Sequence, residues 1–305
     1  MSSHSLFGPL DPAVDAGWEQ APGRKGFLTD TSVCIGCKAC EVACKEWNAI
    51  PSDLGDGITG ESYDNTSALG ANTWRHVAFV EQSTPPAPAA PPAVDLGMPT
   101  LRAPDADAKP EFRWLMSSDV CKHCTHAACL DVCPTGSLFR TEFGTVVVQD
   151  DICNGCGYCV PACPYGVIER RAEAPGDKTK NAGIAQKCTL CYDRISDGDL
   201  PACAKACPTE SIMFGDVDEL RERGQQRVAE LQEQGVTGAR MYGDDPHDGV
   251  GGTGAMFLLL DEPEVYGMPP DPVVTTRDLP RMWKRAGLAA AGLAAGAALS
   301  LLGGS

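Results

Sequence analysis

Sixteen cysteines carry the chemistry of this 305-residue chain, and they fall into four groups of four with none left over. The first group is Cys34, Cys37, Cys40 and Cys44, spaced CxxCxxCxxxC. The second is Cys121, Cys124, Cys129 and Cys133, spaced CxxCxxxxCxxxCP. The third is Cys153, Cys156, Cys159 and Cys163, spaced CxxCxxCxxxCP. The fourth is Cys188, Cys191, Cys203 and Cys207: CxxC, eleven residues, then CxxxCP. The third spacing is that of a two-cluster ferredoxin, and the second and fourth are the same run with a longer middle gap. Two residues between thiolates let a tight loop offer three sulfurs to neighbouring corners of an Fe4S4 cube, with loop N–H groups turned towards its sulfurs. Three further residues carry the chain away, so the fourth cysteine serves another cluster. Pro134, Pro164 and Pro208 stiffen that exit in three groups; Lys45 stands there in the first.

Other uses of cysteine fit less well. A lone CxxC pair would suit a zinc knuckle or a thiol redox pair, but structural zinc calls for two separated pairs per ion. Eight disulfides would need an oxidising compartment, and the N-terminus MSSHSLFGPLDPAVDAGWEQAPG has no basic start, apolar run or twin arginine to act as an export signal. The array therefore points to four [4Fe–4S] clusters.

The swap of the fourth cysteine sets the expected ligand sets. Groups two and three are only nineteen residues apart, Pro134 to Ile152, and form a compact pair. One cluster (C) takes Cys121, Cys124, Cys129 and Cys163; its mate (D) takes Cys153, Cys156, Cys159 and Cys133. Groups one and four then pair around that unit. Cluster A takes Cys34, Cys37, Cys40 and Cys207; cluster B takes Cys188, Cys191, Cys203 and Cys44. One two-cluster unit is thus nested inside another, and ligands this far apart couple folding to cluster insertion.

The elements that must position these groups follow from composition and pattern. Glycine (33) and proline (24) indicate a loop-rich protein, which excludes a fibre, a coiled coil or an all-helical bundle. The expected fold is α+β: two nested ferredoxin-like units with long loops and a C-terminal hydrophobic helix. Residues 1–29 form an irregular arm, 30–81 and 170–265 the outer unit, 82–110 a Pro/Ala-rich insertion and 111–169 the inner unit. Residues 266–285 are a linker, and 286–304 a membrane or docking helix. The stretch 81–110 holds eight prolines and cannot lie within a sheet or helix. Strand character is seen at 74–80, before Cys121, at 146–149 and in the six-residue apolar run 255–260. Residues 216–235 read as a helix with Asp216 as a cap and Val217, Leu220, Val228 and Leu231 near one face, although Gly224 interrupts it.

The C-terminal run 286–304 has no charge and would span about 29 Å as a helix, against a hydrocarbon core of about 30 Å. It is alanine-rich, and packing on a partner protein is its other reading. Trp283 suits an interface, and Gly287, Ala291, Gly292 and Gly296 would let a second membrane helix approach closely. Arg281, Lys284 and Arg285 favour a cytoplasmic globular part by the positive-inside rule. Export with a partner would place it on the opposite face.

The formal charge is −16, which argues against a nucleic-acid binder. Four clusters, each leaving roughly −2 with its thiolates, take the loaded chain to about −24. Lys38, Lys45, Lys122, Lys187 and Arg194 lie in or beside the ligand loops as local offsets or as plain solvated charges. His123 and His126 sit within the second group, but its cysteines already fill the ligand positions. No Ser/His/Asp arrangement, HExxH, GxGxxG or Walker loop is present, so no catalytic residue is expected.

The array resembles the iron–sulfur subunits of molybdenum or tungsten bis-pterin oxidoreductases. Within that group the chain is most similar to the beta subunits of membrane-associated respiratory formate dehydrogenases. The likeness rests on TSVCIGCKACEVACKEWN (31–48), ESYDNTSALGANTWRHVAFVE (61–81), RWLMSSDVCKHCTHAACLDVCPTGSLFR (113–140), DDICNGCGYCVPACPYGVIE (150–169) and KCTLCYDRISDGDLPACAKACP (187–208). The YGMPPDP segment and the tail after it also match. The first thirty residues and the proline-rich insertion depart from the pattern. The resemblance implies a non-catalytic electron-transfer subunit that binds a molybdopterin-containing alpha subunit and a cytochrome b-type membrane gamma subunit. The same array would serve another molybdopterin reductase or a hydrogenase. Readings of another class are a soluble polyferredoxin module and a zinc-binding structural protein.

Overall fold

Residues from opposite ends of the chain meet in one sheet. The computed structural model describes residues 12–52, 59–60, 64–84, 111–172 and 179–302. After a short helix α1 (Pro12–Asp15), strand β1 (Lys25–Asp30) joins β8 (Ile212–Asp216), β9 (Arg240–Tyr242) and β10 (Ala255–Leu259) in the order β8–β1–β10–β9. β1 runs parallel to β10, with Phe27 opposite Ala255, and antiparallel to β8, with Phe27 opposite Phe214. The irregular arm expected over 1–29 therefore ends at Lys25. The segment KGFLTD is a central strand because both of its edges are paired and it is almost wholly buried. Every residue of β10 is buried, as the short apolar run predicts for a strand covered on both faces.

The period-2 alternation of these strands separates two interiors. Leu28 and Met256 pack with Val217 and Leu220 of helix α7 (Val217–Glu233), and Leu258 packs with Leu231. Phe27, Ala255, Phe257 and Leu259 point the other way, into the core that also holds Cys40, Cys121, Cys188 and Cys203. Gly224 lets α7 lie close to the sheet: a Cβ there would come within 2.6 Å of the Met241 Sδ and 3.3 Å of the Leu28 Cδ1. Asp216 occupies the cap position of α7 without a side-chain cap bond. Its carboxylate instead pairs with Lys25 across the β1–β8 edge, at 3.0 Å.

Strands β2 (Arg75–Thr84) and β3 (Glu111–Val120) form an antiparallel ladder from Arg75↔Val120 to Thr84↔Glu111. Residues 85–110 of the expected insertion lie outside the described residues; the ladder already includes residues 82–84. Two small antiparallel pairs follow: β4 (Leu138–Arg140) with β5 (Val146–Val148), and β6 (Glu169–Arg170) with β7 (Ala185–Gln186). The short helices α2 (Ala39–Asn48), α3 (Ala128–Asp131), α4 (Cys159–Ala162), α5 (Tyr192–Ser196) and α6 (Ala202–Lys205) sit among the cysteines.

Helix α8 (Leu279–Leu302) starts seven residues before the expected 286, taking in the basic residues assigned to a linker. Its side chains from 281 to 300 are all exposed, and Trp283 is 73% exposed. Among the described residues no helix is long and apolar enough to cross a membrane. Arg281, Lys284 and Arg285 occupy the first turns of α8, and alanine and glycine dilute the rest.

Candidate metal centres

The four cysteine loops share one backbone device. The residue before the second cysteine has a left-handed φ in every group: Gly36 at 65°, His123 at 45°, Gly155 at 70° and Leu190 at 60°. The residue after it repeats this in groups one and three, at Lys38 (59°) and Gly157 (80°). Such turns gather successive N–H groups on one concave side, as suits an anionic group. His123 and Leu190 each adopt this conformation against a cost of about 1–2 kcal/mol. At Gly155 a Cβ would also meet the Gly183 carbonyl oxygen at 2.4 Å.

Past each loop a helix takes over. The third cysteine lies at or next to the start of α2, α3, α4 or α6 in every group, at Cys40, Cys129, Cys159 and Cys203. The fourth comes four residues later, one turn along, at Cys44, Cys133, Cys163 and Cys207. That step separates the fourth thiol from the three before it along the helix axis.

In space the thiols gather as follows. One cavity is lined by Cys34, Cys37, Cys40 and Cys207, with Ser118 and Ser211 on its wall. A second is lined by Cys121, Cys124, Cys129 and Cys163, with Lys122, Lys187 and Tyr165. Cys44 is acted on electrostatically by Cys188, Cys203 and Cys191, which with burial push its thiol up. Cys159 is acted on in the same way by Cys153, Cys133 and Cys156. Each neighbourhood holds one of the four ligand sets expected from the swap. The sets are also coupled electrostatically in series: Cys40 of the first to Cys203, Cys188 to Cys121, and Cys129 to Cys159. Cys37 and Cys156, at the two ends of this series, are exposed.

The spacing of the donors bears on which metal fits. Among the described residues no three Cys, His, Asp or Glu side chains converge as ligands of a single ion. Structural zinc needs its thiolates within about 2.3 Å of one centre. A cube, by contrast, offers each thiolate its own corner iron, so four thiols spread around a cavity fit it. Electrostatics agree, because burial pushes Cys40 up to about 11 and both Cys129 and Cys188 up to about 12. Thiols so costly to ionise alone require a strongly positive partner to become ligands. Burial also opposes ionisation of Cys133, but hydrogen bonding from Ser137 and Thr135 and from the Leu138 amide brings it down to about 7.

The charged residues singled out in the sequence divide into two kinds. Lys38 is held by Asp64 at 2.7 Å and by Glu41 at 3.2 Å. Lys45 donates to the Asn72 carbonyl, and Arg194 donates to the Leu200 carbonyl and stacks over Trp47. Lys122 and Lys187 are almost wholly buried. Lys122 pairs with Asp119 and lies over Phe257 and Tyr165. Lys187 donates to the Cys188 and Val146 carbonyls. His123 is buried, which pushes its pKa well below the usual range, and its Nδ1 accepts from the Val146 amide. His126 sits against Gly251 at the surface of the second group. Arg75, Ser118 and Ser137 are not legible in the sequence as site residues, since nothing in their spacing ties them to a cysteine group. They reach the thiols only through the β2–β3 ladder and the β4 edge.

Two family models, each described as a 4Fe-4S dicluster domain, match residues 33–138 and 112–217. Those matches give the chain two dicluster domains, with a capacity of up to four [4Fe–4S] clusters. The chain is 39% identical over 251 residues to the formate dehydrogenase iron-sulfur subunit of Haemophilus influenzae, covering 81% of this chain and 69% of the relative. It is 38% identical over 274 residues to the nitrate-inducible formate dehydrogenase iron-sulfur subunit of Escherichia coli, covering 88% and 80%. Identity to a subunit of the E. coli anaerobic dimethyl sulfoxide reductase is 32% over 198 residues, 65% of this chain and 76% of the relative. The formate dehydrogenase relatives match along a longer stretch and more closely than the reductase subunit, and the chain belongs to the formate dehydrogenase iron–sulfur subunit family.

Proposed function

We propose that this chain is the electron-transfer subunit of a formate dehydrogenase complex, carrying electrons from a molybdopterin-containing catalytic subunit towards a cytochrome b-type membrane subunit. It has no catalytic role of its own. The observation that carries this reading is the series of four electrostatically coupled thiol tetrads, with an exposed cysteine in the first and in the last. When bound, [4Fe–4S] clusters supply one-electron carriers without proton or atom transfer. The residues around them hold that chemistry in place. Cys34, Cys37, Cys40 and Cys207 form tetrad A, and Cys44, Cys188, Cys191 and Cys203 form tetrad B. Cys121, Cys124, Cys129 and Cys163 form tetrad C, and Cys133, Cys153, Cys156 and Cys159 form tetrad D. A and B belong to the outer unit and C and D to the inner one. The buried Phe27, Phe257 and Leu190 keep water out between them, and the exposed edges at Cys37 and Cys156 offer points of electron entry and exit.

Formate as the source of electrons rests on the named relatives, whose matches reach 81–88% of this chain against 65% for the reductase subunit. Helix α8 is the contact with the membrane partner: it is apolar beyond Arg285, exposed from 281 to 300, and basic at its start. The test is formate-driven reduction of the purified complex followed by low-temperature EPR. Formate is expected to produce the reduced cluster signals of this subunit at the rate of catalytic turnover. Signals that appear with dithionite but never with formate would remove the substrate assignment.

A further inference from the structure

Arg75 is the first residue of β2, opposite Val120 and so one residue from the Cys121 loop. Its side chain is among the most deeply buried in the protein, with the residue 1% exposed. Nη1 donates to the Ser118 Oγ at 3.0 Å and to the Ser118 carbonyl at 3.2 Å, and the guanidinium lies 4.8 Å from the centre of the Phe27 ring. Among the described residues Nε and Nη2 have no hydrogen-bond partner, and no carboxylate pairs with the group. A guanidinium remains charged in any such setting, and a buried cation without a counter-charge is strongly disfavoured.

The counter-charge has to come from the thiols of Cys203, Cys40, Cys188 and Cys44, which act on it electrostatically; Phe27, over which it lies, packs in the same core as Cys40, Cys188 and Cys203. Three of these belong to tetrad B and one to tetrad A. The lysines near the cysteine loops are placed differently. Lys122 has Asp119, Lys38 has Glu41 and Asp64, and Lys187 donates to two carbonyls. Ser118 fixes the arrangement, because the hydroxyl that accepts from Arg75 also lies 3.2 Å from the Cys40 Sγ.

We propose that Arg75 is a charge shared between tetrads A and B, which raises the reduction potentials of the clusters they hold and so bears on how readily electrons rest on this pair. The inference rests on reading these thiols as cluster ligands. Reduction adds one negative charge to a cluster, and a fixed cation beside it in a dry interior favours the reduced form with little screening by salt. Hydrogen bonds from the two remaining N–H groups would act in the same direction. Tetrad C, whose Cys121 follows the Val120 that pairs with Arg75, is expected to respond less, and D least.

The test uses the intact complex with Arg75→Gln and Arg75→Lys, iron analysis, and EPR-monitored redox titration. A wild-type chain without cluster iron would defeat the underlying reading, not this inference. In a loaded Arg75→Gln complex two midpoint potentials are expected to fall, a third to fall less and one to stay. Arg75→Lys, which keeps the charge, is expected to hold all four near wild type. Four unmoved midpoints in Arg75→Gln at full iron content would overturn the proposal, as would an Arg75→Lys shift equal to that of Arg75→Gln. If Arg75→Gln loses iron, Arg75→Lys decides: full loading at wild-type potentials supports the role of charge, and loss of iron in both variants contradicts it.

Discussion

The cysteine ligands are separated by chain position but joined by space, and Cys207 shows this most clearly. It follows Cys203 by one helical turn, yet its thiol lines the cavity of Cys34, Cys37 and Cys40, more than 160 residues earlier in the chain. Cys207→Ala is therefore expected to deplete tetrad A and leave the cluster of Cys188, Cys191 and Cys203 in place. Iron should fall by about four atoms in about sixteen, with loss of one EPR component. Loss of the group-four cluster instead would mean that ligation follows sequence order. All sixteen thiols and their proposed sets could be read from spacing, because the distance along a tight loop fixes which sulfurs face one cube. Arg75 could not be read, because its relation to the thiols is made by pairing two strands whose partner residues lie 45 positions apart. Nor could the left-handed turn at His123 and Leu190, where only two of the four loops carry the glycine that would have announced it.

At the level of elements, short-range pattern succeeded where burial is one-sided or complete. The apolar run 255–260 became β10, and the stretch 217–233 became α7, with Val217, Leu220 and Leu231 buried as its periodicity requires. Gly224, which looked like a weakness in that helix, is where the helix approaches Leu28 and Met241. Pattern failed for Lys25–Asp30, because KGFLTD has only Phe27 and Leu28 as large apolar residues and so shows neither an apolar run nor an alternation, although the strand is buried. Helix α8 is the element whose described side chains from 281 to 300 are all exposed. A chain truncated after Asp278 is expected to keep its iron and its cluster potentials, since no side chain from 281 to 300 is buried. It should also leave the membrane fraction when the complex is prepared without detergent. Retention of the truncated chain in washed membranes would place the attachment elsewhere.

Across the whole molecule, closure of the fold and closure of the clusters are the same event. β1, from the start of the described chain, pairs with β8 and β10 from its last third, and this brings groups one and four together. Without metal the interior would hold crowded, buried thiols, several pushed to about 11 or 12 by loss of water. It would also hold the buried cations Arg75, Lys122 and Lys187. With metal these cations face anionic clusters, and the −16 of the sequence becomes a deeper negative charge offset from within.

The most direct measurement of this arrangement is the metal and acid-labile sulfide content of the full-length chain purified without oxygen, read together with its EPR spectrum after reduction. About sixteen iron and about sixteen sulfide atoms per chain, with the spectrum of four interacting [4Fe–4S] centres, is the expected result. A colourless chain holding a few zinc ions, no sulfide and no EPR signal after reduction would contradict the account at its foundation.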